Sequence, residues 1–229
     1  MHNKGKTPLP AIHGRPGGGV LGLRAVVFDY GMVLTGPPDP QAYATLLRIT
    51  GLTAERFDPL YWADRHAYDE GKLTGFSFWQ KLIRDAGLSL PDAVIDELNL
   101  WDGRMWSTQN PRMVAWQQKL KQRGLVTAIL SNMGDGVLET VTREHEWIAH
   151  FDVLVWSFQL HMAKPDPAIY RHLLHELGTR PEETLFVDDK LENIEAARAL
   201  GIRGFVFSNA GQLCADLMTA GLDSELPLP

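Results

Sequence analysis

Short apolar runs alternate with helix-like stretches along the second half of the chain. The runs LVTAIL, VLVW, TLFVD and GFVF occupy residues 125–130, 153–156, 184–188 and 204–207. Continuous apolar runs of this length are typical of strands that are buried on both faces. Their alternation with helices predicts a parallel sheet that is covered by helices on both sides.

An earlier apolar run, Ala25–Phe28, predicts a first strand, and after it the pattern changes. GPPDP breaks the chain, and aromatic-rich helical stretches separated by Gly and Pro then continue to Trp106. We therefore predict an α/β core formed by residues 21–35 and 111–229, with a helical segment, residues 36–110, inserted after the first strand. Residues 1–20 have almost no apolar pattern and are predicted to be a flexible leader.

Charge and cysteine content narrow the possible functions. The chain has 22 Lys and Arg against 28 Asp and Glu, a net charge of −6, which disfavours nucleic acid or an anionic membrane as the main partner. No run approaches the ~18 apolar residues of a membrane span. The single cysteine, Cys214, excludes an intramolecular disulfide and a cysteine-cluster metal site, and it fits a cytoplasmic protein. We expect Cys214 to have no catalytic role.

Polar residues lie at the C-terminal ends of the predicted strands. They are Asp29, Ser131, Asn132, Asp188 and Asp189. Ligands of open α/β sheets bind at this edge. Carboxylates hold a hard cation such as Mg²⁺, and Lys164, in a loop before a predicted helix, can attract a phosphate group. Together these residues indicate magnesium-assisted phosphoryl transfer.

Each of these residues also has a purely structural explanation. An Asp, Ser or Asn after a strand often caps the next helix or forms a turn, and a Lys before a helix can simply be solvated. Two adjacent carboxylates after an apolar strand, Asp188 and Asp189, repel each other and need a compensating cation. The acidic pair therefore favours the chemical interpretation.

Four motifs, FDYGMVLT, ILSN, KPDP and VDDKLENIEAARALG, occur in this order between residues 26 and 201. In order and spacing the chain resembles the haloacid dehalogenase (HAD) superfamily of hydrolases. The resemblance implies a Rossmann-like doubly wound parallel sheet and identifies residues 36–110 with the helical cap of that family. Within the family, the chain is most similar to bacterial sugar-phosphate phosphatases of the alpha-glucose-1-phosphatase type.

The resemblance implies roles for the residues that bind and attack phosphate. Asp29 would be the nucleophile that forms an aspartyl-phosphate. Lys164 would neutralise both the nucleophile and the phosphate. Ser131, helped by the backbone of Asn132, would hydrogen-bond the phosphoryl group.

It also implies a magnesium site. Asp29, the backbone carbonyl of Gly31 and Asp189 would hold Mg²⁺ directly. Asp188 would act through water or through Lys164, and Asn193 would support the metal site from one helical turn after Asp189.

Gly31 departs from the pattern of most phosphatases in this family, which carry a second Asp there as general acid and base. Protonation of the leaving oxygen is worth about 100- to 10,000-fold in rate. Three explanations stay open: a good leaving group, a proton from a water or from another group such as one of the cap, or a weakly active or non-catalytic protein. If the cap supplies the proton, His66 and Asp69 are the first candidates. The cap offers polar or aromatic candidates for substrate contacts, among which the spacing does not discriminate: His66, Tyr68, Asp69, Lys72 and Trp79. A cap aromatic such as Trp79 is more typical of a core.

The favoured function is a magnesium-dependent hydrolase that removes phosphate from a small phosphorylated metabolite, with a sugar phosphate as the expected substrate. A metal-independent 2-haloacid dehalogenase is the first alternative, but those enzymes lack the acidic pair and usually carry Tyr where Gly31 stands. Phosphonate cleavage would need a cap lysine such as Lys72 or Lys81. The last alternative is a HAD-like binding protein. A monomer or a homodimer is expected.

Overall fold

The computed structural model describes residues 22–228, so the predicted leader, residues 1–20, lies outside the described residues. Five strands form one sheet in the order β3-β2-β1-β4-β5. The strands are β1 (Ala25–Phe28), β2 (Val126–Ser131), β3 (Val153–Trp156), β4 (Thr184–Asp188) and β5 (Arg203–Val206). All four neighbouring pairs are parallel, which confirms the predicted α/β class with a doubly wound parallel sheet.

Strand β1 lies at the centre of the sheet and shows how both faces are covered. Alternate residues of a strand point to opposite faces. Val26 and Phe28 belong to one hydrophobic core, while Ala25 and Val27 belong to a second one. All four side chains are fully buried, as expected for a strand without a solvent-facing side.

Helices follow nearly every strand and also fill the segment between β1 and β2. The helices are α1 (Pro40–Thr50), α2 (Ala54–Ala63), α3 (Arg65–Asp69), α4 (Gly75–Asp85), α5 (Ala93–Met105), α6 (Pro111–Gln122), α7 (Asp135–Glu144), α8 (Ser157–Leu160), α9 (Pro167–Leu177), α10 (Leu191–Ala199) and α11 (Ala210–Thr219). We refer to α1–α5 as the inserted helices. Among residues 22–228, no helix has both the length and the apolar character needed to cross a membrane.

The chain enters and leaves the inserted helices through two adjacent segments. Thr35 forms an antiparallel bridge with Gln109. The Gly36 N–H donates to the Thr108 carbonyl, and the Asn110 N–H donates to the Leu34 carbonyl. This paired connection ties the inserted helices to the sheet directly after β1.

Predicted and observed boundaries agree for β3 and β4. They also agree for α9, because a Pro in the first turn and the apolar spacing predict a helix over residues 167–177, but they differ after α7. The sequence predicts a helix over residues 135–148, but α7 ends at Glu144 because His145 has extended backbone (φ −130°, ψ 90°). A short 3₁₀ turn, Glu146–His150, follows. It buries Ile148 and stacks the Trp147 ring on Tyr30, with ring centroids 6.1 Å apart. Packing against the loop after β1 therefore ends the helix earlier than its spacing indicates.

Candidate active site

Three carboxylates converge at the C-terminal edge of the sheet. Asp29 directly follows β1, Asp188 is the last residue of β4, and Asp189 follows it. One carboxylate oxygen from each lies within 4.8 Å of the others. The sheet topology explains this meeting, because β1 and β4 are parallel neighbours and end at the same edge. We call these residues, together with Lys164, the floor cluster.

The Lys164 ammonium lies between two of these carboxylates. Its Nζ is 2.9 Å from Asp29 Oδ1 and 2.6 Å from Asp188 Oδ2, and it also donates to the Leu130 carbonyl at 3.0 Å. The Lys164 side chain is 1% exposed. The Asn132 side chain fixes the Lys164 backbone with two hydrogen bonds, of 2.9 and 2.8 Å. Asn132 thus positions the lysine from the loop after β2.

The Asp188 carboxylate accepts hydrogen bonds from more donors than the carboxylates of Asp29 and Asp189 do. The Asn193 Nδ2 donates to both of its oxygens, at 2.9 and 3.1 Å, and the Lys190 N–H donates to Oδ1 at 2.8 Å. Asn193 therefore contacts Asp188. Its influence on a cation at Asp29 and Asp189 would be indirect.

Burial and charge act in opposite directions on the floor cluster. Burial raises the pKa of Asp29 to about 7 against the opposing effect of Lys164, and the Asp188 charge adds to the rise. Burial also acts on Asp188, but the Lys164 ammonium holds the pKa of that carboxyl below its ordinary value. The pKa of Asp189 is raised by its burial and by Asp188.

A single ammonium cannot balance three carboxylates, so the floor cluster carries surplus negative charge. Hard cations such as Mg²⁺ take carboxylate oxygens as ligands. The donor set of Asp29, Asp188 and Asp189 therefore fits this metal.

The turn after Asp29 is tight and leaves room for a side chain at Gly31. Asp29 Oδ1 accepts a hydrogen bond of 2.7 Å from the Tyr30 N–H, and Met32 has a positive φ of 61°. A Cβ at Gly31 would meet no atom within 4 Å. Space therefore does not account for the missing second acid at this position.

A cavity of about 420 Å³ opens above the floor cluster. Its lining includes the predicted residues Asp29, Gly31, Ser131, Asn132, Lys164, Asp189 and Asn193. The buried Ser131 ends β2 beside the carboxylates, and the fully buried Asp188 lies behind the lining.

The inserted helices form the rest of the cavity wall. Of the cap candidates, His66 and Asp69 line the cavity, whereas Tyr68, Lys72 and Trp79 do not. Trp79 is fully buried among the inserted helices, as expected for a core residue.

The lining residues that the sequence does not predict include Trp62, Arg65 and Trp106. For Arg65 the sequence offers one signal, its spacing of four residues from Asp69, which places both side chains on one helix face.

Arg65 is the centre of a second buried charge cluster. Its Nε donates to Asp69 Oδ1 at 2.9 Å, and its Nη1 lies 3.2 Å from Asp102 Oδ1. Tyr61 Oη donates to the same Asp102 oxygen at 2.7 Å, accepts from Trp106 Nε1 at 3.1 Å and also contacts Arg65. We call Arg65, Asp69 and Asp102 the wall cluster. It consists of one cation and two carboxylates.

The two carboxylates of the wall cluster differ in access. The Asp102 side chain is 0% exposed, whereas Asp69 is 15% exposed and lines the cavity. Burial raises the pKa of Asp69 from 3.8 to about 6; Arg65 opposes this rise and Asp102 adds to it. The cavity thus holds a carboxyl group that retains its proton to higher pH than an ordinary Asp.

Helix α3 is docked on the loop after β2. Tyr68 Oη accepts from the Gly136 and Val137 N–H groups, at 3.0 and 3.3 Å. A Cβ at Gly134 would lie 2.2 Å from Tyr68 Cζ, so only glycine allows this approach. Ser157 Oγ accepts from the Met133 N–H at 2.9 Å and donates to the Asp69 carbonyl. The wall cluster is therefore fixed to the start of α7 and to the loop that follows Ser131 and carries Asn132.

Comparison with known proteins agrees with this arrangement. A family model described as haloacid dehalogenase-like hydrolase matches residues 23–201. The bifunctional epoxide hydrolase 2 of Mus musculus is 30% identical over 174 residues, which cover 70% of this chain and 31% of that protein. A sesquiterpene phosphatase of Aspergillus oryzae is 35% identical over 107 residues, covering 46% of this chain and 54% of that protein. The chain thus spans about a third to a half of the length of these relatives.

A phosphatase of Mycobacterium tuberculosis is similar over most of its length. It is 28% identical over 201 residues, covering 84% of this chain and 90% of that protein.

Solved structures share the fold. A HAD family enzyme from Bacteroides thetaiotaomicron, in complex with magnesium and inorganic phosphate, has a TM-score of 0.66 at 23% identity, covering 81% of this chain and 94% of that one. An L-2-haloacid dehalogenase from Xanthobacter autotrophicus has a TM-score of 0.64 at 19% identity, covering 87% of this chain and 84% of that one. At these identities the likeness concerns the fold alone.

Proposed function

The chain belongs to the haloacid dehalogenase-like hydrolase family, and we propose that it is a magnesium-dependent phosphatase that acts on a small phosphorylated metabolite. The observation that carries the proposal is the floor cluster, in which Asp29, Asp188 and Asp189 converge around Lys164 beneath a cavity. A volume of about 420 Å³ suits a small metabolite. In this proposal residues 36–110 act as the cap, and residues 21–35 and 111–229 form the catalytic core.

The reaction begins with attack by Asp29 on the phosphorus atom, which forms an aspartyl-phosphate and releases the alcohol. Lys164 lowers the repulsion between this carboxylate and the phosphate by contacting Asp29 at 2.9 Å. Ser131 and the Asn132 backbone hold the phosphoryl oxygens. Water then attacks the aspartyl-phosphate and regenerates Asp29.

Asp29, Asp189 and the Gly31 carbonyl would hold the magnesium ion, with Asp188 and Asn193 behind them. When bound, the ion neutralises charge on the transferring phosphoryl group. The magnesium and phosphate bound by the enzyme from Bacteroides thetaiotaomicron support this assignment.

Among phosphorylated metabolites, we propose sugar phosphates of the kind that alpha-glucose-1-phosphatases hydrolyse. The support is the resemblance of the first motif, including Gly31, to that group. The dehalogenase alternative shares the fold, but such enzymes need no metal. The third carboxylate, Asp189, which adds to the surplus charge of the floor cluster, favours the phosphatase.

A panel assay tests the proposal. Phosphate release from sugar 1-phosphates, sugar 6-phosphates and p-nitrophenyl phosphate is measured with Mg²⁺ and with excess chelator, and chloride release from 2-chloropropionate is measured in parallel. We expect Mg²⁺-dependent phosphate release that falls on the order of 10⁴- to 10⁶-fold in Asp29→Asn.

Asp96→Asn, an exposed aspartate on α5, is the matched control and should keep full activity. Chloride release in the presence of chelator, or undiminished phosphate release by Asp29→Asn, would contradict the proposal.

A further inference from the structure

The proposed reaction lacks a proton donor for the leaving oxygen, because Gly31 stands where a second acid would be. In phosphoryl transfer the leaving oxygen lies roughly in line with the attacking oxygen, on the far side of the phosphorus. Since Asp29 attacks from the floor cluster, the leaving group points toward the wall formed by the inserted helices. The donor should therefore be sought on that wall.

Among the described residues, the titratable side chains that line the cavity beyond the floor cluster are Tyr30, Arg65, His66, Asp69 and Lys190. A guanidinium does not release its proton in proteins. Burial raises the pKa of the Tyr30 phenol, which makes it a weaker acid, and its hydroxyl oxygen is buried. Lys190 follows Asp189 on the floor side. His66 and Asp69 remain on the wall.

The two differ in how firmly they are held. The His66 side chain is 73% exposed and lies 3.7 Å from Glu70, its one ion-pair partner. Asp69 is 15% exposed, is bound through Oδ1 by Arg65 Nε at 2.9 Å, and has its carbonyl anchored by Ser157 Oγ. General acid catalysis requires a positioned group. Asp69 meets that requirement.

We propose that Asp69 is the general acid and base of this enzyme, supplied by the inserted helices in place of the acid missing at Gly31. This proposal rests on the proposed phosphatase function. It assigns to the wall cluster a chemical role in addition to a structural one.

The charge balance of the wall cluster helps to explain why the pKa of Asp69 is raised. Arg65 is one cation between two carboxylates, so with both ionised the cluster would hold an uncompensated buried negative charge, which is costly. Asp102 is fully enclosed and receives hydrogen bonds from both Tyr61 and Arg65. Asp69, at the cavity, is the carboxyl group of the cluster whose pKa is raised.

The charged groups that face Asp69 come from three elements. Arg65 on α3 and Lys190 after β4 favour its ionised form, whereas Asp102 on α5 and burial disfavour it. Burial has the largest effect, and together these groups place the pKa of Asp69 at about 6. A group with this pKa exchanges protons readily near neutral pH.

Asp69 gives up a proton in the first step of the reaction and regains one in the second. In the first, an Asp29 oxygen bonds to phosphorus, the bond from phosphorus to the leaving oxygen breaks, and that oxygen takes the Asp69 proton to leave as the alcohol. In the second, the Asp69 carboxylate takes a proton from water while the water oxygen bonds to phosphorus. The aspartyl-phosphate bond breaks, and phosphate, the Asp29 carboxylate and protonated Asp69 result.

The test compares two substrates of similar shape, p-nitrophenyl phosphate and benzyl phosphate, under single-turnover conditions with Mg²⁺. The benzyl alkoxide is far more basic than p-nitrophenolate. Its departure therefore depends on a proton donor, whereas p-nitrophenolate can leave without one. We expect Asp69→Asn to lower the benzyl phosphate rate by about 100- to 10,000-fold and the p-nitrophenyl phosphate rate by less than about 10-fold. Glu70→Gln, a neighbour that does not line the cavity, should change neither rate.

The pH profile supplies a second readout. Asp69 must be protonated to act as acid, so benzyl phosphate kcat/KM in the wild type should fall as pH rises through about 6. This decrease in kcat/KM with rising pH should be absent in Asp69→Asn. Ionisation of the substrate phosphate also changes kcat/KM with pH, and it affects both substrates. The pH profile of p-nitrophenyl phosphate in the same enzyme is therefore the control for this effect.

Equal losses on both substrates would overturn the proposal, because a structural defect does not discriminate between leaving groups. So would a benzyl-selective loss in His66→Gln with none in Asp69→Asn. The proposed function is judged separately, by p-nitrophenyl phosphate hydrolysis in the wild type and its loss in Asp29→Asn.

Discussion

The cavity is bounded by two charge clusters of similar composition and different origin. In the floor cluster, Lys164 lies between Asp29 and Asp188 at the ends of two parallel strands. In the wall cluster, Arg65 lies between Asp69 and Asp102 on two packed helices. Each places one buried cation between two carboxylates, so each begins with a surplus negative charge.

The clusters differ in how that surplus is relieved. The floor cluster has a third carboxylate, Asp189, and within residues 22–228 its three acids form the one group with the geometry to hold a metal ion. The wall cluster has no third acid, and the rings of Tyr61, Tyr68 and Trp106 lie around Arg65. The third converging carboxylate makes the floor cluster suited to a divalent cation, whereas in the wall cluster the aromatic rings surround Arg65 and the excess charge accompanies a raised pKa of Asp69.

Removal of either buried cation gives the largest expected loss of stability. Lys164→Met and Arg65→Met should each lower the free energy of unfolding by about 3–5 kcal/mol at pH 7.5 without metal, because each leaves two buried carboxylates unpaired. Measured against the wild type in the same buffer, Mg²⁺ should reduce the deficit of Lys164→Met and leave that of Arg65→Met unchanged, because the intact floor cluster of Arg65→Met gains as much from Mg²⁺ as the wild type does.

Urea unfolding monitored by circular dichroism measures both effects, with the exposed Lys119→Met as control. An equal change in the two deficits relative to the wild type in Mg²⁺ would contradict the distinction between the clusters.

The wall cluster should also make stability depend on pH. Because the pKa of Asp69 is raised from 3.8 to about 6 on folding, its protonation favours the folded state, fully below pH 3.8 and progressively less as pH rises through 6. Relative to Asp69→Asn, the wild type should lose up to about 3 kcal/mol of stability between pH 4 and pH 7. A constant difference between the two proteins over this range would show that Asp69 titrates normally. Unfolding curves at several pH values, in chelator, make the measurement.

Magnesium should stabilise the floor cluster alone. At 100 times its dissociation constant, a ligand that binds only the folded state adds about 2.7 kcal/mol. We expect Mg²⁺ to raise the Tm of the wild type and of Asp69→Asn, and to have little effect on Asp189→Asn. Differential scanning calorimetry with and without Mg²⁺ measures the shift. A full shift in Asp189→Asn would place the ion elsewhere.

The junction between the two clusters is sensitive to volume at Gly134. In Gly134→Ala the new methyl group would overlap the Tyr68 ring, and overpacking of this kind costs about 1–3 kcal/mol. Gly36→Ala, whose Cβ would have ordinary contacts with Thr108, is the matched control. Chemical denaturation of both variants gives the comparison, and equal stabilities would mean that Tyr68 moves aside without cost.

The smallest effect is expected far from both clusters, at Cys214. This half-buried residue lies on α11 and lines no part of the cavity. Cys214→Ser should keep full phosphatase activity and change stability by less than about 1 kcal/mol. Loss of most activity in a variant with unchanged Tm would relocate the site.

The sequence predicts the floor cluster because topology places its members. A carboxylate after an apolar strand lies at the C-terminal edge of a parallel sheet. The sequence alone therefore predicts that Asp29, Asp188 and Asp189 lie close together. The wall cluster has no such rule, because packing of helices distant in sequence brings Arg65 and Asp102 together. From the sequence, Asp69 can be proposed together with His66 as a first candidate for a proton donor on the cap, whereas its partner Arg65 cannot be identified.

In the secondary structure, too, features set by local sequence signals can be predicted, and features set by distant packing cannot. The strands and α9 can be predicted closely from apolar runs, turn residues and the Pro at the start of α9, all of which are local signals. The early end of α7 at Glu144 could not, because the cause is the distant stacking of Trp147 on Tyr30.

The central position of β1 has a consequence for biosynthesis. Ala25 pairs with Val126 and with Thr184, which follow it by about 100 and about 160 residues, so the sheet forms through contacts of high sequence separation. During synthesis on the ribosome, β1 emerges before β2 and β4, the two strands with which it pairs. The Asp29 carboxylate and its Lys164 counter-ion are thus synthesised far apart in time. A nascent chain that ends before β4 contains Asp29 but cannot complete the sheet around it, and it lacks Asp188 and Asp189 of the floor cluster.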